Sequence, residues 1–337
     1  MTDAHGPAAA HEPAGTPDLA DVVRAARAEG RGLKVVGAGK WSGEGTPAAR
    51  VRDGADQVTL RRLSGIVAYV PGDLTLTARA GTTLAELDDA TRAHGQWCPL
   101  CPWGTDDGTI GATFATATTG PFGAALGRPR DLALGIEFVD GEGAVARGGG
   151  RVVKNVAGFD LVRLMVGAFG TLGIITEVTV RLRAIPAADV TVLIVPAGGG
   201  VRGASPPAGA KWPPAAGSSS IERDAAVADA LIAAEVAPSG CAVLDQHDAR
   251  LLGVPAGAVV ARYMGSTALV RAGVAEAGRL GTVTETDGRF WTSYRARDPH
   301  PRMLRGSPLS ISVARRLKGR FDPGSVLNPG ILGEDAE

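Results

Sequence analysis

Aromatic side chains make up only 4% of this 337-residue chain, there are three cysteines, and net charge is absent, with 35 Lys and Arg against 35 Asp and Glu. Each shortage excludes a class of protein. Cys98, Cys101 and Cys241 are too few for the disulfide framework of a small secreted fold and suit a reducing compartment. No basic stripe or Lys/Arg-rich run is present to neutralise a phosphate backbone, so no nucleic-acid partner is expected. No apolar stretch approaches the roughly 20 continuous residues of a membrane-spanning helix. The opening "MTDAHGPAAAHEPAGTPDL" has neither the basic start nor the apolar run of a secretory signal. A cytoplasmic chain without a membrane span is the expectation. The histidines fall in no paired helical spacing, so no metal site is predicted.

A chain of 337 residues exceeds the roughly 250–300 at which one hydrophobic core stops growing, and two packed units are expected. Residues 1–17, rich in Ala, Pro and Gly, read as a disordered lead. Asp18 is placed to cap a helix over "DLADVVRAARAEG", where Leu19, Val22, Val23 and Ala26 keep helical spacing until Gly30 and Gly32. "LKVVG", "QVTLRRL", "GIVAYVPG" and "LTLTARAG" follow as short strands of a small mixed sheet. "TLAELDDATRAHG" opens on Thr82 or Thr83, and Glu86, three residues after Thr83, fits a capping box. Asp140-Gly141 between alternating apolar runs makes 132–145 a hairpin. In "RVVKNVAGFDLVRLMVGAFGTLGIITEVTVRL", residues 151–182, a helix face of Leu161, Leu164 and Met165 runs through a glycine turn into a strand that alternates from Ile174.

Past Pro186 the composition changes, and 197–220 has the Pro, Gly and Ser density of a flexible linker. Around it, strand 190–195, helix 222–236, strand 241–245, strand 257–264, helix 267–279 and strand 282–286 give the β-α-β-β-α-β order of a ferredoxin-like unit. The chain ends in "FDPGSVLNPGIL", a Pro/Gly-rich stretch that the apolar Leu327, Ile331 and Leu332 tie down.

"VVGAGKWSG" follows a strand, but Gly37, Gly39 and Gly43 give GxGxxxG with no helix behind it, so the nicotinamide-dinucleotide fingerprint fails. What remains is either a plain tight turn or a cradle of main-chain amides for an anion, with Lys40 adding charge. "WCPLCP" holds a CxxC, yet its prolines make it an extended turn, away from the helix N-terminus that lowers a redox thiol. With Cys241 the only other thiol, a four-cysteine metal site cannot form within one chain. In "GTIGATFATATTGPFGAALGRPRD" the small residues Gly108, Gly111, Ala112, Ala115, Ala117 and Gly120 either reflect composition or leave backbone free to meet something large and flat.

In this order, "GTIGATFATATTGP", "RPRDLALGIEFVDGEG", "GGRVVKNVAGFDLVRLMVGAFGTLGIITEVTVRL" and "FDPGSVLNPGIL" resemble the FAD-binding fold of the PCMH or vanillyl-alcohol oxidase type. The likeness is greatest to the FAD-binding E subunits of glycolate oxidases and spans most of the chain. It implies an α+β protein: a PCMH-type FAD-binding domain of two α/β subdomains over 18–186, a reduced ferredoxin-like cap over 187–300, and a C-terminal segment, 301–337, returning to the FAD domain. FAD is expected to be non-covalent, because the "GAGKWSG" turn has no histidine for the linkage some relatives carry. By the same resemblance Gly37, Ala38, Gly39, Lys40 and Trp41 hold the pyrophosphate. Thr109, Gly111, Ala112 and Ala115 line the cofactor's spine, and Gly173, Ile174 and Ile175 meet it from the other sheet. Lys154, Asn155 and Asp160 match the family's Lys-Asn-Val-Ala-Gly-Tyr-Asp pattern, with Phe159 in place of the tyrosine.

The function so implied is an FAD-binding oxidoreductase subunit of a glycolate oxidase-like complex. It would act with a homologous flavoprotein and an iron–sulfur protein on a small 2-hydroxy acid, by hydride transfer to flavin. No catalytic residue is assigned, since the His-rich Gly-Asp-Gly-Asn segment of the catalytic relatives is missing and no base is evident. Ala117, Phe122, Gly123 and Leu126 stand where the family usually has an asparagine, two arginines and a tyrosine. Losing cations that tune a reduced flavin motivates the alternative, a non-catalytic structural subunit with a degraded flavin site.

Overall fold

The computed structural model describes residues 8–40, 47–150, 160–196, 220–255, 257–297 and 308–332. Their contacts form two units, one of residues 1–119, 127–184 and 298–337, the other of 120–126 and 185–297. The linker expected over 197–220 falls, up to residue 219, outside the described residues.

The first unit begins with β1 (Ala10–His11), α1 (Thr16–Ala28), β2 (Leu33–Val36) and β3 (Asp56–Thr59), and its three strands run parallel in the order β1-β3-β2. The composition of residues 1–17 predicts disorder, but from residue 8 this stretch is held in place. Ala9 N donates to the buried Asp56 Oδ1 at 2.7 Å, and Arg31 reaches the same carboxylate at 2.6 Å. A buried carboxylate needs such partners, and β1 supplies one by pairing with β3. The N-cap of α1 is Gly15, three residues before the Asp18 cap expected; Pro17 sits in the first turn, where its fixed φ suits a helix, and Asp18 accepts from Ala14 N at 3.2 Å.

Next come β4 (Ile66–Val70), β5 (Thr75–Arg79), α2 (Leu84–Arg92), β6 (Gln96–Trp97), α3 (Ile110–Thr116), α4 (Gly123–Leu126), α5 (Pro129–Leu132), β7 (Ala133–Val139), β8 (Val145–Gly149), α6 (Leu161–Met165), β9 (Ile174–Arg181) and β10 (Arg183–Ala184). Five of these strands make an antiparallel sheet in the order β4-β5-β9-β7-β8. The single mixed sheet expected from 33–81 is therefore two sheets. Strand composition does not name partners: the short turn between β4 and β5 enforces an antiparallel pair, whereas the long 37–55 connection permits a parallel one. Thr83 caps α2 in the expected box, its Oγ1 accepting from Glu86 N at 3.2 Å while Glu86 Oε2 accepts from Thr83 N at 2.7 Å. One core runs through both sheets, joining Leu19 and Val23 of α1 and Leu33 and Val58 of the parallel sheet to Leu76, Phe138, Val178 and Val180.

The second unit holds β11 (Ala188–Pro196), α7 (Ser220–Ile232), β12 (Gly240–Val243), α8 (Gln246–Leu252), β13 (Val259–Gly265), α9 (Thr267–Ala277), β14 (Gly281–Glu285) and α10 (Phe290–Ala296). Its sheet is antiparallel in the order β12-β13-β11-β14, the ferredoxin-like topology that the element order predicts. Helix α8, not foreseen, forms because Asp245 caps it, accepting from Asp248 N at 2.7 Å, rather than ending a strand. Residues 120–126 belong to this unit. Phe122 is buried edge-on to Trp291 at 4.9 Å, lies 4.8 Å beneath the Arg262 guanidinium, and fills space that a Cβ on Gly240 would take at 2.5 Å. The residue standing where the family has an arginine is thus a packing anchor.

The chain returns to the first unit with α11 (Pro308–Phe321). Leu33 N donates to Val326 O at 2.6 Å and Asn328 N to Leu33 O at 2.8 Å, so residues 326–328 cover the outer edge of β2.

Strands β7 and β9 place Glu137 opposite Glu177. Burial pushes the Glu137 carboxyl up, but hydrogen bonds from Thr176 Oγ1 at 2.7 Å, Thr16 Oγ1 at 2.8 Å and Arg147 Nε at 2.7 Å, with the Arg147 charge, outweigh it and leave the group below its usual value of about 4.5. Glu177 is raised, by burial first and the Glu137 charge second, against Arg147 and Arg79. A depressed carboxyl stabilises the fold above its unfolded pKa and loses that contribution as pH falls through the folded value; a raised one acts in reverse. Glu137→Gln should therefore lose stability near neutral pH and show a flatter decline in acid, while Glu177→Gln should hold or gain. Urea unfolding between about pH 3 and pH 7 checks this; equal losses in both variants would contradict it.

Candidate functional site

A groove of about 840 Å³, counted with its solvent-open part, lies in the first unit. The end of β2 and the turn after it, from Val35 to Lys40, make one wall. Thr109, Ala112, Ala115 and Thr116 of α3 and its cap make a second, and Phe169, Gly170, Ile174 and Ile175 a third, with Asn328 and Ile331 added from the C-terminal segment.

Close backbone approach builds these walls. A Cβ on Gly37 would run into Thr109 Oγ1 and come within 3.1 Å of Ala112 Cβ. One on Gly111 would meet Ala80 Cβ at 2.5 Å and Ala80 O at 2.8 Å, and one on Gly170 would meet Asn328 Nδ2 at 2.8 Å. The stretch singled out in the sequence for its small residues contains the helix α3, capped by Thr109 Oγ1, which accepts from Ala112 N at 3.4 Å. Its small residues serve helix-to-strand contact as well as the groove.

Of the residues predicted to hold a cofactor, Gly37, Ala38, Gly39, Lys40, Thr109, Gly111, Ala112, Ala115, Ile174 and Ile175 line this groove together. Gly173 does not: the place of its absent side chain is taken by Phe138, whose Cδ2 would lie 2.5 Å from a Cβ, so its smallness serves the core. Trp41, Lys154, Asn155 and Phe159 lie outside the described residues, and Asp160 caps α6 by accepting from Arg163 N at 2.9 Å. Asn328, Phe169 and Ile331 were not foreseen as site residues. The Asn-Pro-Gly of the C-terminal stretch was the one signal for Asn328, and its partners are distant in sequence.

Lys40 is the one cation among the described lining residues. Lys40 Nζ lies 2.5 Å from Asp107 Oδ2, and Asp107 is held below the usual carboxylate range by its bond from Lys40 first and Thr105 second. Arg61 donates to Ala38 O at 2.9 Å, and Gly39 has a φ of +76°, the left-handed geometry that turns successive amides toward one side. In the CxxC, burial pushes the Cys98 thiol up to about 12, away from the range of a redox thiol. Small apolar walls suit a flat ring system, and Lys40 beside turn amides suits a pyrophosphate. No carboxylate stands among the described lining residues to oppose it. The residues present fit FAD.

A groove of this make, walled by main chain between a parallel and an antiparallel sheet, is suited to FAD. Comparison with known proteins agrees: residues 7–149 match the family described as FAD binding domain. The chain carries a PCMH-type FAD-binding domain and is related to glycolate oxidase subunits. It is 41% identical over 130 residues to the glycolate oxidase subunit GlcE of Escherichia coli (strain K12), a match covering 38% of this chain and 37% of the relative. It is 40% identical over 118 residues to a D-lactate dehydrogenase of Archaeoglobus fulgidus, covering 35% and 26%. These matches span little more than a third of the relatives' length at most. Among solved structures, alkyldihydroxyacetonephosphate synthase superposes with a TM-score of 0.70 over 95% of this chain and 76% of that one, at 15% identity, a likeness of fold.

Ala117 ends α3 with a φ of +51°, a conformation costly for a residue with a Cβ. Ala117→Gly should raise stability by about 1 kcal/mol, read by thermal unfolding, and a loss would contradict the left-handed geometry. Gly37→Ala should instead cost about 1–3 kcal/mol by overpacking against Thr109 and weaken FAD, read by flavin fluorescence titration.

Proposed function

We propose that the chain is the FAD-binding subunit of an oxidoreductase of the glycolate oxidase kind, acting on a small 2-hydroxy acid with FAD held non-covalently in the groove. The observation that carries this is the meeting of the Gly37–Lys40 turn, the small face of α3 and the start of β9 in one groove with a cation at its rim. FAD, when bound, supplies a hydride acceptor for the hydroxyl-bearing carbon of the substrate. Lys40 neutralises the pyrophosphate in exchange for its contact with Asp107. The amides of Gly37 to Gly39 bind the same group, Ala112 and Ala115 allow a flat ring to lie against α3, and Ile174 and Ile175 exclude water beside it. In this reading residues 18–186 and the returning 301–337 form the FAD-binding part and 187–300 the cap.

Two relatives, a glycolate oxidase subunit and a D-lactate dehydrogenase, support the substrate class. The family resemblance extends the proposal to a homologous flavoprotein and an iron–sulfur protein as partners, and to the cytoplasm. No helix among the described residues is long and apolar enough to cross a membrane. A second reading, a structural subunit that has lost flavin chemistry, is favoured by Phe122, whose ring is committed to Trp291 and Arg262 where the family carries an arginine.

Chain incubated with FAD and desalted should keep flavin absorbance, and Lys40→Ala should weaken binding about tenfold by removing one charge-assisted contact. In the assembled complex, glycolate or D-lactate should bleach the flavin. Chain that stays colourless at saturating FAD would overturn the proposal. Tightly held flavin that no 2-hydroxy acid reduces would select the second reading.

A further inference from the structure

The C-terminal segment contributes part of the groove, and one side chain joins it to two walls. Asn328 is buried and uses both ends of its carboxamide: Oδ1 accepts from Val35 N at 2.8 Å and Nδ2 donates to Phe169 O at 2.8 Å. Val35 lies on the β2 wall and Phe169 on the wall leading to β9. The Asn328 backbone has a φ of +45°, a left-handed conformation that asparagine tolerates better than most residues with a Cβ. Asparagine alone combines that tolerance with one donor and one acceptor at this length; aspartate lacks the donor, glutamine is longer, and glycine has neither.

Farther back, a buried ion pair fixes the same segment. Asp322 accepts from Val326 N and Leu327 N, both at 2.9 Å, and from Lys318 Nζ at 2.8 Å, while Lys318 also donates to Leu327 O at 2.7 Å. Neither Lys318 nor Asp322 lines the groove. Segments that pack on the outside of a core open locally at lower cost than the core itself. Opening this one would take Asn328 and Ile331 out of the lining and release Val35 and Phe169 together.

We propose that Asn328 is a positioning residue that couples docking of the C-terminal segment, residues 308–332, to FAD binding. The groove reaches its binding width only with the segment docked, and FAD in the groove holds the segment down, as reciprocity of linked equilibria requires. The coupling rests on the groove being the FAD site.

Trypsin reads the segment directly, because α11 offers Arg315, Arg316 and Arg320 as cleavage sites. With the full chain, saturating FAD should slow cleavage in α11 about fivefold or more. Asn328→Asp, nearly isosteric, should weaken FAD about tenfold. Asp322→Asn, remote from the groove, should weaken FAD in the same direction and speed cleavage, which a purely local role for Asn328 would not produce. If Asp322→Asn does not fold, the cleavage ratio of the wild type with and without FAD, together with the affinity of Asn328→Asp, decides. Affinity within about twofold of wild type in both variants, or cleavage indifferent to FAD, would overturn the coupling. A wild-type chain that takes up no FAD would overturn the FAD site itself.

Discussion

Close backbone approach, enforced where a side chain would not fit, is the constraint on which the first unit depends. Gly37 lies against Thr109 and Ala112, Gly111 against Ala80, and Gly173 against Phe138, each nearer than a Cβ permits. Packing of this kind brings the end of β2, the start of α3 and the start of β9 to one place, and the groove is the space left between them. The glycines are therefore structural first, and they serve a ligand by letting main chain form its walls. Enlarging any of them displaces a neighbour in a close-packed interior, where even one methylene is felt.

Charge is placed to complement that backbone. Three buried carboxylates hold several donors each: Asp56 holds Ala9 and Arg31, Glu137 holds Thr16, Thr176 and Arg147, and Asp322 holds Lys318 and two amides. A buried ion pair adds little net stability by itself, since desolvation offsets attraction, but breaking it by removing one partner is costly. These three carboxylates fix where the two ends of the chain and α1 attach, so they determine connectivity more than total stability. Lys40 differs in being half-exposed at the groove rim, where its pairing with Asp107 is exchangeable.

Much of this was legible in the sequence. The ferredoxin-like order followed from strand and helix periodicity, and the Thr83 capping box from the spacing of a hydroxyl and a glutamate, because both are local signals. What escaped was decided at a distance. Whether Leu33–Val36 and Thr75–Arg79 share a sheet depends on partners, not on their alternation. Helix α3 is too short and too rich in Gly and Ala for its period to stand out, and order at Ala10–His11 comes from a carboxylate in β3. Gly173 and Gly37 look alike in sequence, and only their neighbours separate a core contact from a groove wall. Phe122 reads as a lost cation in a one-dimensional comparison, whereas its ring is a packing contact with Trp291.

The most direct test is hydrogen–deuterium exchange of the full chain with and without FAD. Main-chain walls as the cofactor's seat predict slowed exchange in three stretches at once, residues 33–40, 108–117 and 168–175. FAD demonstrably bound while those stretches exchange at their free rates would contradict it.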